Sequence, residues 1–401
     1  MAFEEVPGGV TAPRGFLAGA TYCGIKKAGR DLTVILSESP CAAAAVFTKN
    51  KVQAAPIAVN RRHLRMAGGQ ARAVVVNSGN ANACTGELGE RNAEEMARLV
   101  AERFDCQTVE VLVASTGVIG VQLPMDKVRA GVWQLSLSRD GGHVAALGIM
   151  TTDLLPKEMA IVCNVGGARV TVAGIAKGSG MIHPNMGTML AFVTTDAAVA
   201  SGFLAEAVQR SAECSFNMIT VDGDTSTNDT LAVLANGLAG NAPIEAGSPE
   251  AATFQEALDW VTTYLARQIA RDGEGASKLI EVRVRGARDV ADARLAARAI
   301  AGSSLTKAAV YGADPNWGRI LCAAGYSGAD VDQNLADVSV GEVALMRGGL
   351  ILPFDHKAAS AALAGPEVLI AVDLHLGEGD AAAWGCDLTE QYVKINAEYT
   401  T

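Results

Sequence analysis

The sequence predicts a mixed α/β or α+β chain with more strands than helices, and three observations lead there. Short apolar runs rich in Val and Ile recur along it, a few stretches repeat apolar residues at helical spacing, and the two kinds do not alternate strictly. A plain doubly wound sheet needs that alternation and is not favoured. The chain has 401 residues, long for one hydrophobic core, which points to two or more domains. Hydrophobic residues make up 49% and charged residues 19%, enough apolar material to bury and too little charge for a disordered chain.

In chain order, the strand candidates are Ala73–Val76, Val109–Val113, Met159–Cys163, Val170–Ile175, Met189–Val193, Leu279–Val284, Val368–Val372 and Tyr392–Ile395. Several alternate apolar and polar residues, as half-buried strands do. Among the helices, Ala93, Met96, Ala97, Val100 and Phe104 share one face. Phe254, Ala257, Leu258, Val261, Tyr264, Leu265 and Ile269 do the same, and Asp272-Gly273 stops that helix. A third helix is expected over Asp289 to Ile300. The stretch Gly237 to Glu250, rich in Gly, Ala, Pro and Asn, reads as the best linker.

Composition narrows the function classes. Lys plus Arg total 33 against 43 Asp plus Glu, a net charge of -10, which argues against a nucleic-acid partner. The N-terminus, Met1-Ala2-Phe3-Glu4-Glu5, is acidic where a targeting peptide would be basic. No stretch approaches the roughly 20 apolar residues of a membrane span. A soluble, cytoplasmic protein is expected. The eight cysteines, Cys23, Cys41, Cys84, Cys106, Cys163, Cys214, Cys322 and Cys386, show no close spacing and read as buried free thiols. The five histidines are equally dispersed, so no metal site is expected.

Three short motifs carry little. Ser304-Leu305-Thr306-Lys307 fits the SxxK pattern of serine acyl-enzymes, but its companion motifs are missing and a helix end is preferred. Asp222 to Asn228 starts like a calcium loop, yet Thr227 stands where a Gly is needed and Val233 where a Glu is needed. That run is a turn, a cap or a polar pocket wall. Lys177-Gly178-Ser179-Gly180 suggests a phosphate cradle without the full P-loop spacing.

The segment Lys177 to Asp196, KGSGMIHPNMGTMLAFVTTD, carries more. A Gly-rich turn leads to Gly187-Thr188 and then directly to an apolar strand. Attack of the Thr188 hydroxyl on the Gly187 carbonyl would move the acyl group to oxygen, and hydrolysis would free the amine. The new N-terminal Thr then carries nucleophile and base on one residue. Its α-amino group has an ordinary pKa of about 7.7–8.0, close to working pH.

The whole segment resembles the cleavage site of the ornithine acetyltransferase family, the bifunctional glutamate N-acetyltransferases of arginine biosynthesis. That family usually has Ala where this chain has Gly187. Ala114-Ser115-Thr116-Gly117-Val118-Ile119-Gly120 is similar to the family's oxyanion-hole loop, with Thr116 and Gly117 at the matching positions. Thr151, Lys177, Glu274, Asn396 and Thr401 match positions the family uses for substrate, as does Thr188 itself. A Lys for a carboxylate and a Glu for an ammonium suit a zwitterionic amino acid.

The resemblance implies an α/β sandwich of the family's own type, a mixed α+β fold cut into an α chain (1–187) and a β chain (188–401). Two copies of each would form a heterotetramer. It implies ping-pong transfer of acetyl from N2-acetylornithine through Thr188 to glutamate. The exchange needs no cofactor; acetyl-CoA is a further candidate co-substrate, though no separate signature for it is readable. The rival readings are a self-processing aminopeptidase-like hydrolase of similar architecture, and a non-enzymatic module whose Lys177 loop binds a phosphorylated ligand.

Overall fold

The computed structural model describes residues 3–183 and 189–398. The strands of a nine-stranded sheet are β1 (Glu4–Glu5), β2 (Phe16–Thr21), β3 (Leu32–Phe47), β4 (Gln70–Asn80), β5 (Val111–Val118), β6 (Lys157–Val165), β7 (Ala168–Lys177), β8 (Leu190–Thr195) and β9 (Thr230–Ala235). Their order is β1-β6-β7-β8-β9-β3-β4-β5, with β2 also on β3. The helices among them are α1 (Ala55–Met66), α2 (Gly86–Phe104), α3 (Met125–Gln134), α4 (Gly142–Ile149) and α5 (Ser201–Cys214).

The long strand β3 makes this sheet into two layers. Its first half pairs with β2 and β4, and its second half pairs with β9. Between them the register slips from Leu36 to Cys41, across Pro40, which has no N–H to donate to a ladder. Ile35, Val74 and Leu112 on one side of the bend then share a buried cluster with Leu190, Phe192 and Leu234 on the other. The opposite faces are covered by helices. Val34, Val75 and Val113 meet α1, α2 and α3, while Val172, Val193 and Val233 meet α5 and the helix that follows β9. Odd and even residues of each strand thus enter different cores, as the two-residue side-chain period dictates. The result is the layered α/β sandwich expected.

The remaining chain builds a second unit on the same core. Helix α6 (Pro249–Arg271) keeps Phe254, Leu258, Val261, Leu265 and Ile269 wholly out of solvent, each worth roughly 1.5–3 kcal/mol of burial. A six-stranded sheet follows, from β10 (Leu279–Ala287), β11 (Asp337–Val340), β12 (Val343–Arg347), β13 (Leu350–Ile351), β14 (Glu367–Asp373) and β15 (Gly379–Cys386), in the order β13-β12-β11-β14-β10-β15. Its helices are α7 (Val290–Gly302), α8 (Ser304–Tyr311), α9 (Trp317–Gly325), α10 (His356–Ala364) and α11 (Glu390–Glu398). Ile280 and Val282 of β10 join the cluster that holds α5 and α6, so one core runs through both sheets.

Several expectations need correction. Gly237 to Glu250 is not a linker: Ile244 is buried and its N–H donates to the Ala198 carbonyl. Tyr392 to Ile395 is not a strand but part of α11, where no side chain is buried. Val109 belongs to a turn of 3-10 helix, and β5 starts at Val111. The cysteines are free, but only Cys41, Cys163 and Cys386 are buried, while Cys23, Cys106 and Cys214 are half-buried and Cys84 and Cys322 are exposed. The helix end preferred for Ser304-Leu305-Thr306-Lys307 is, by contrast, what forms: Ser304 begins α8 and is exposed, while Lys307 is buried and donates to the Val221 carbonyl. Among the described residues, no helix is long and apolar enough to cross a membrane.

Candidate active site

A pocket opens at the end of the sandwich where β5 and β7 finish and β8 and β9 begin. Thr116, Gly117, Thr151, Lys177, Glu274 and Asn396 line it together, from segments far apart in the chain. Asn228 locks the two layers at this end, its Nδ2 donating to the carbonyls of Ala81 at 2.6 Å and Ser115 at 2.8 Å. Gly117 has φ +132 and could not bear a side chain, because a Cβ there would meet the Gly79 carbonyl carbon at 2.3 Å.

Lys177 is almost wholly buried, and its Nζ donates to Thr116 Oγ1 at 3.3 Å. Burial lowers its pKa, against the opposing pull of Asp153, Asp229 and Glu274. Since the Thr116 oxygen accepts from Lys177, the hydroxyl's own proton is free to point elsewhere, which suits a donor to an anion. Behind Lys177 lies Asp153, whose side chain has no solvent exposure. It accepts from Lys157 Nζ at 2.7 Å, Gly178 N at 2.6 Å and Thr151 N at 3.0 Å. Lys157 also reaches Asp272 at 2.6 Å. Burial pushes the Asp153 carboxyl up, but Lys177, Lys157 and the Gly178 N–H outweigh it and hold it at about 2.

The opposite wall is acidic. Glu274 follows α6, and its N–H donates to Ser179 O at 2.8 Å. Gly180 lets the carboxylate approach, since a Cβ there would lie 2.3 Å from Glu274 Oε2. Asn396 Nδ2 donates to Glu274 Oε2 at 2.9 Å, and the Tyr392 hydroxyl lies 3.3 Å from Asp222 Oδ2. Both residues sit one helical turn apart on α11, so the helix, not a strand, presents them.

This wall also decides between motif readings. Asp222 to Asn228 forms part of the pocket lining. The Asp222 carboxylate takes the N–H groups of Met181 at 2.5 Å and Ile182 at 2.8 Å. With Gly178 N–H donated to Asp153, three backbone donors of the turn after Lys177, those of Gly178, Met181 and Ile182, are committed to carboxylates rather than to a phosphate.

The ArgJ family model matches residues 17–401. The chain belongs to the ArgJ family. It is 56% identical to the arginine biosynthesis bifunctional protein ArgJ of Symbiobacterium thermophilum, over 99% of this chain and 100% of that one. It is 53% identical to the protein of the same name from Dehalococcoides mccartyi, over 98% of each. Among solved structures, the arginine biosynthesis bifunctional protein argJ of Bacillus halodurans is 49% identical with a TM-score of 0.51, covering 98% of that chain but 52% of this one.

Within this ArgJ family chain, Gly187, Thr188 and Thr401 lie outside the described residues. Met189, bonded to Thr188, lines the pocket. Asp153 and Asp229 escape sequence reasoning. Asp153 stands in the Thr151-Thr152-Asp153 run and Asp229 next to the Asp222–Asn228 run, so local polar density was the available signal.

Proposed function

We propose that the chain moves acetyl from N2-acetylornithine to glutamate through an acyl-enzyme on Thr188, giving ornithine and N-acetylglutamate in arginine biosynthesis. The observation that carries this is the convergence of Thr116, Gly117, Thr151, Lys177, Glu274 and Asn396 on one pocket that Met189 also lines. The nucleophile's neighbour, the oxyanion donors and groups for a zwitterion meet there.

Self-cleavage between Gly187 and Thr188 prepares the enzyme. Strands β8 and β9 lie between β7 and β3, so a cut at this point leaves both pieces interleaved in one sheet. The Bacillus halodurans chain corresponds to 52% of this one, the proportion expected of the longer piece after such a cut. Two copies of each piece make the working assembly, a cytoplasmic heterotetramer.

In the first half-reaction, the Thr188 α-amine takes the Oγ proton as Oγ attacks the acetyl carbonyl. Thr116 and Gly117 N–H stabilise the oxyanion, the C–N bond breaks, and the departing ornithine amine takes the proton. Glutamate's amine then attacks the ester and reverses these steps. An amide is exchanged for an amide, so no cofactor is consumed. The acidic wall around Glu274 and Asp222 receives ammonium groups. Lys177 serves Thr116 as well as any carboxylate nearby.

The deciding experiment is intact mass spectrometry with acetylornithine and no acceptor. The piece beginning at Thr188 should gain one acetyl group, which glutamate should remove, with parallel double-reciprocal kinetics. Intersecting lines with no mass gain would indicate direct transfer instead. Release of free acetate in place of transfer would favour the hydrolase.

The oxyanion role of Thr116 has its own test. Thr116→Ala should lower kcat by roughly 10²–10³-fold while the protein stays folded. An unchanged kcat would reduce Thr116 to a turn residue.

A further inference from the structure

The two substrates make opposite electrostatic demands on one pocket. N2-acetylornithine carries one carboxylate and one ammonium, whereas glutamate carries two carboxylates and attacks through a neutral amine. The acidic wall of Asp222 and Glu274 suits the ornithine ammonium and repels the second carboxylate of glutamate. Among the described residues, Lys177 is the one cation that lines the pocket, but it belongs to a balanced cluster. Two buried ammonium groups, Lys157 and Lys177, face two buried carboxylates, Asp153 and Asp272. Lys157 lies 2.7 Å from Asp153 and 2.6 Å from Asp272, and Lys177 lies 3.9 Å from Asp153. That cluster leaves no net positive charge for a second carboxylate.

Lys26 stands outside this balance. It belongs to the loop between β2 and β3, which a single carboxylate organises. Asp31, wholly buried, accepts the N–H groups of Cys23 at 2.7 Å, Gly24 at 3.0 Å, Ile25 at 2.7 Å and Lys26 at 3.0 Å. Four such donors take up the charge of that carboxylate. The Lys26 stem lies across Gly79, where a Cβ would sit 2.6 Å from Lys26 Cγ. Gly79 is paired with Gly117 in the ladder of β4 and β5, so Lys26 backs the oxyanion loop. Its Nζ donates to the Met150 carbonyl at 3.1 Å, one residue before Thr151. Gly117 and Thr151 both line the pocket, and Lys26 bridges the segments that carry them. The charged groups that face its ammonium are Asp31, Asp153 and Lys177. Burial lowers its pKa, and the two carboxylates oppose that. Among the described residues, no carboxylate is in salt-bridge contact with it.

We propose that Lys26 is a specificity-determining residue for the acceptor, its charge beside Thr151 offsetting the acidic wall for the second carboxylate of glutamate. The assignment rests on the acetyl-transfer reading above. Acetylornithine, which has no net charge, gains little from the same cation.

The test reads the two substrates separately. In ping-pong kinetics kcat/KM for acetylornithine reports acylation, and kcat/KM for glutamate reports deacylation. Lys26→Met keeps the stem on Gly79 and removes the charge. Its kcat/KM for glutamate should fall about tenfold, and that for acetylornithine by less than about threefold. Lys26→Arg keeps the charge and should recover most of the loss. If Lys26 only held Met150 and Gly79 in place, both constants would fall together, and that result overturns the assignment. An unchanged constant for glutamate overturns it too, as does an arginine variant as impaired as the methionine one. Should Lys26→Met fail to fold, Lys26→Gln, which retains a donor for Met150, carries the same expectation and the same refutation. Wild type gives a check that needs no variant. Added salt should lower its kcat/KM for glutamate, because an attraction is screened, and leave that for acetylornithine nearly unmoved. A rise for glutamate would mean that the acidic wall dominates, against the proposal. If wild type moves no acetyl from acetylornithine to glutamate, the acetyl-transfer reading itself falls and takes the assignment with it.

Discussion

Thr188→Ala should remain a single full-length chain and lose transferase activity by about 10⁴–10⁶-fold. Both effects have one cause. In the proposed mechanism the Thr188 hydroxyl is the attacking group in cleavage and in acyl transfer, and alanine offers no oxygen for either. Loss of a nucleophile that works as a unit with its base is among the largest single-residue effects known, and only oxyanion stabilisation and binding then remain. Electrophoresis with N-terminal sequencing reads the first effect, since wild type should yield a piece beginning Thr-Met-Leu. Initial rates of acetyl transfer read the second, with the melting transition confirming an intact fold. Equal cleavage in the variant would sink the mechanism.

The second large effect is on stability. Asp153→Asn should destabilise the fold by about 3–5 kcal/mol, because it leaves the buried Lys177 ammonium without its nearest counter-charge. Lys157 would keep Asp272 at 2.6 Å, but Lys177 would lose the nearby Asp153. The sign of the pH dependence follows from the depressed carboxyl. Asp153 titrates at about 2 in the folded chain against about 3.9 when unfolded. Its contribution is therefore fully present above pH ~4 and lost as pH falls toward ~2. Denaturant unfolding of both proteins from pH 7 down to 3 provides the check. Their difference in stability should be constant above pH ~4 and shrink below it. A difference that holds unchanged to pH 3 would mean that packing, not charge, gives Asp153 its importance.

Much of the fold was readable locally. Val and Ile runs marked β4, β6, β7, β8, β10 and β14, and helical spacing marked α2, α6 and α7, because burial on one face leaves a periodic trace. Where no face is buried, that trace fails. In α11 the alternation Tyr392-Val393-Lys394-Ile395-Asn396 suggested a strand, yet this helix lies on the surface with only Tyr392 and Asn396 turned to the pocket. Five residues cannot separate a period of 2 from one of 3.6 when burial does not enforce either.

By itself, the sequence determined the family, the secondary structure of the core elements and the residue types of the site. Only the tertiary structure decided how those residues work together. The bend of β3 across Pro40 folds one sheet into two layers and brings Thr116 within 3.3 Å of Lys177. It also surrounds Asp153 with Lys157, Lys177 and the Gly178 N–H, and places Asp229 against Met189. The physical reason is that a single buried charge leaves no period in a sequence. Its pKa and its role depend on which distant groups the fold sets within a few ångströms, in a medium that screens them far less than water.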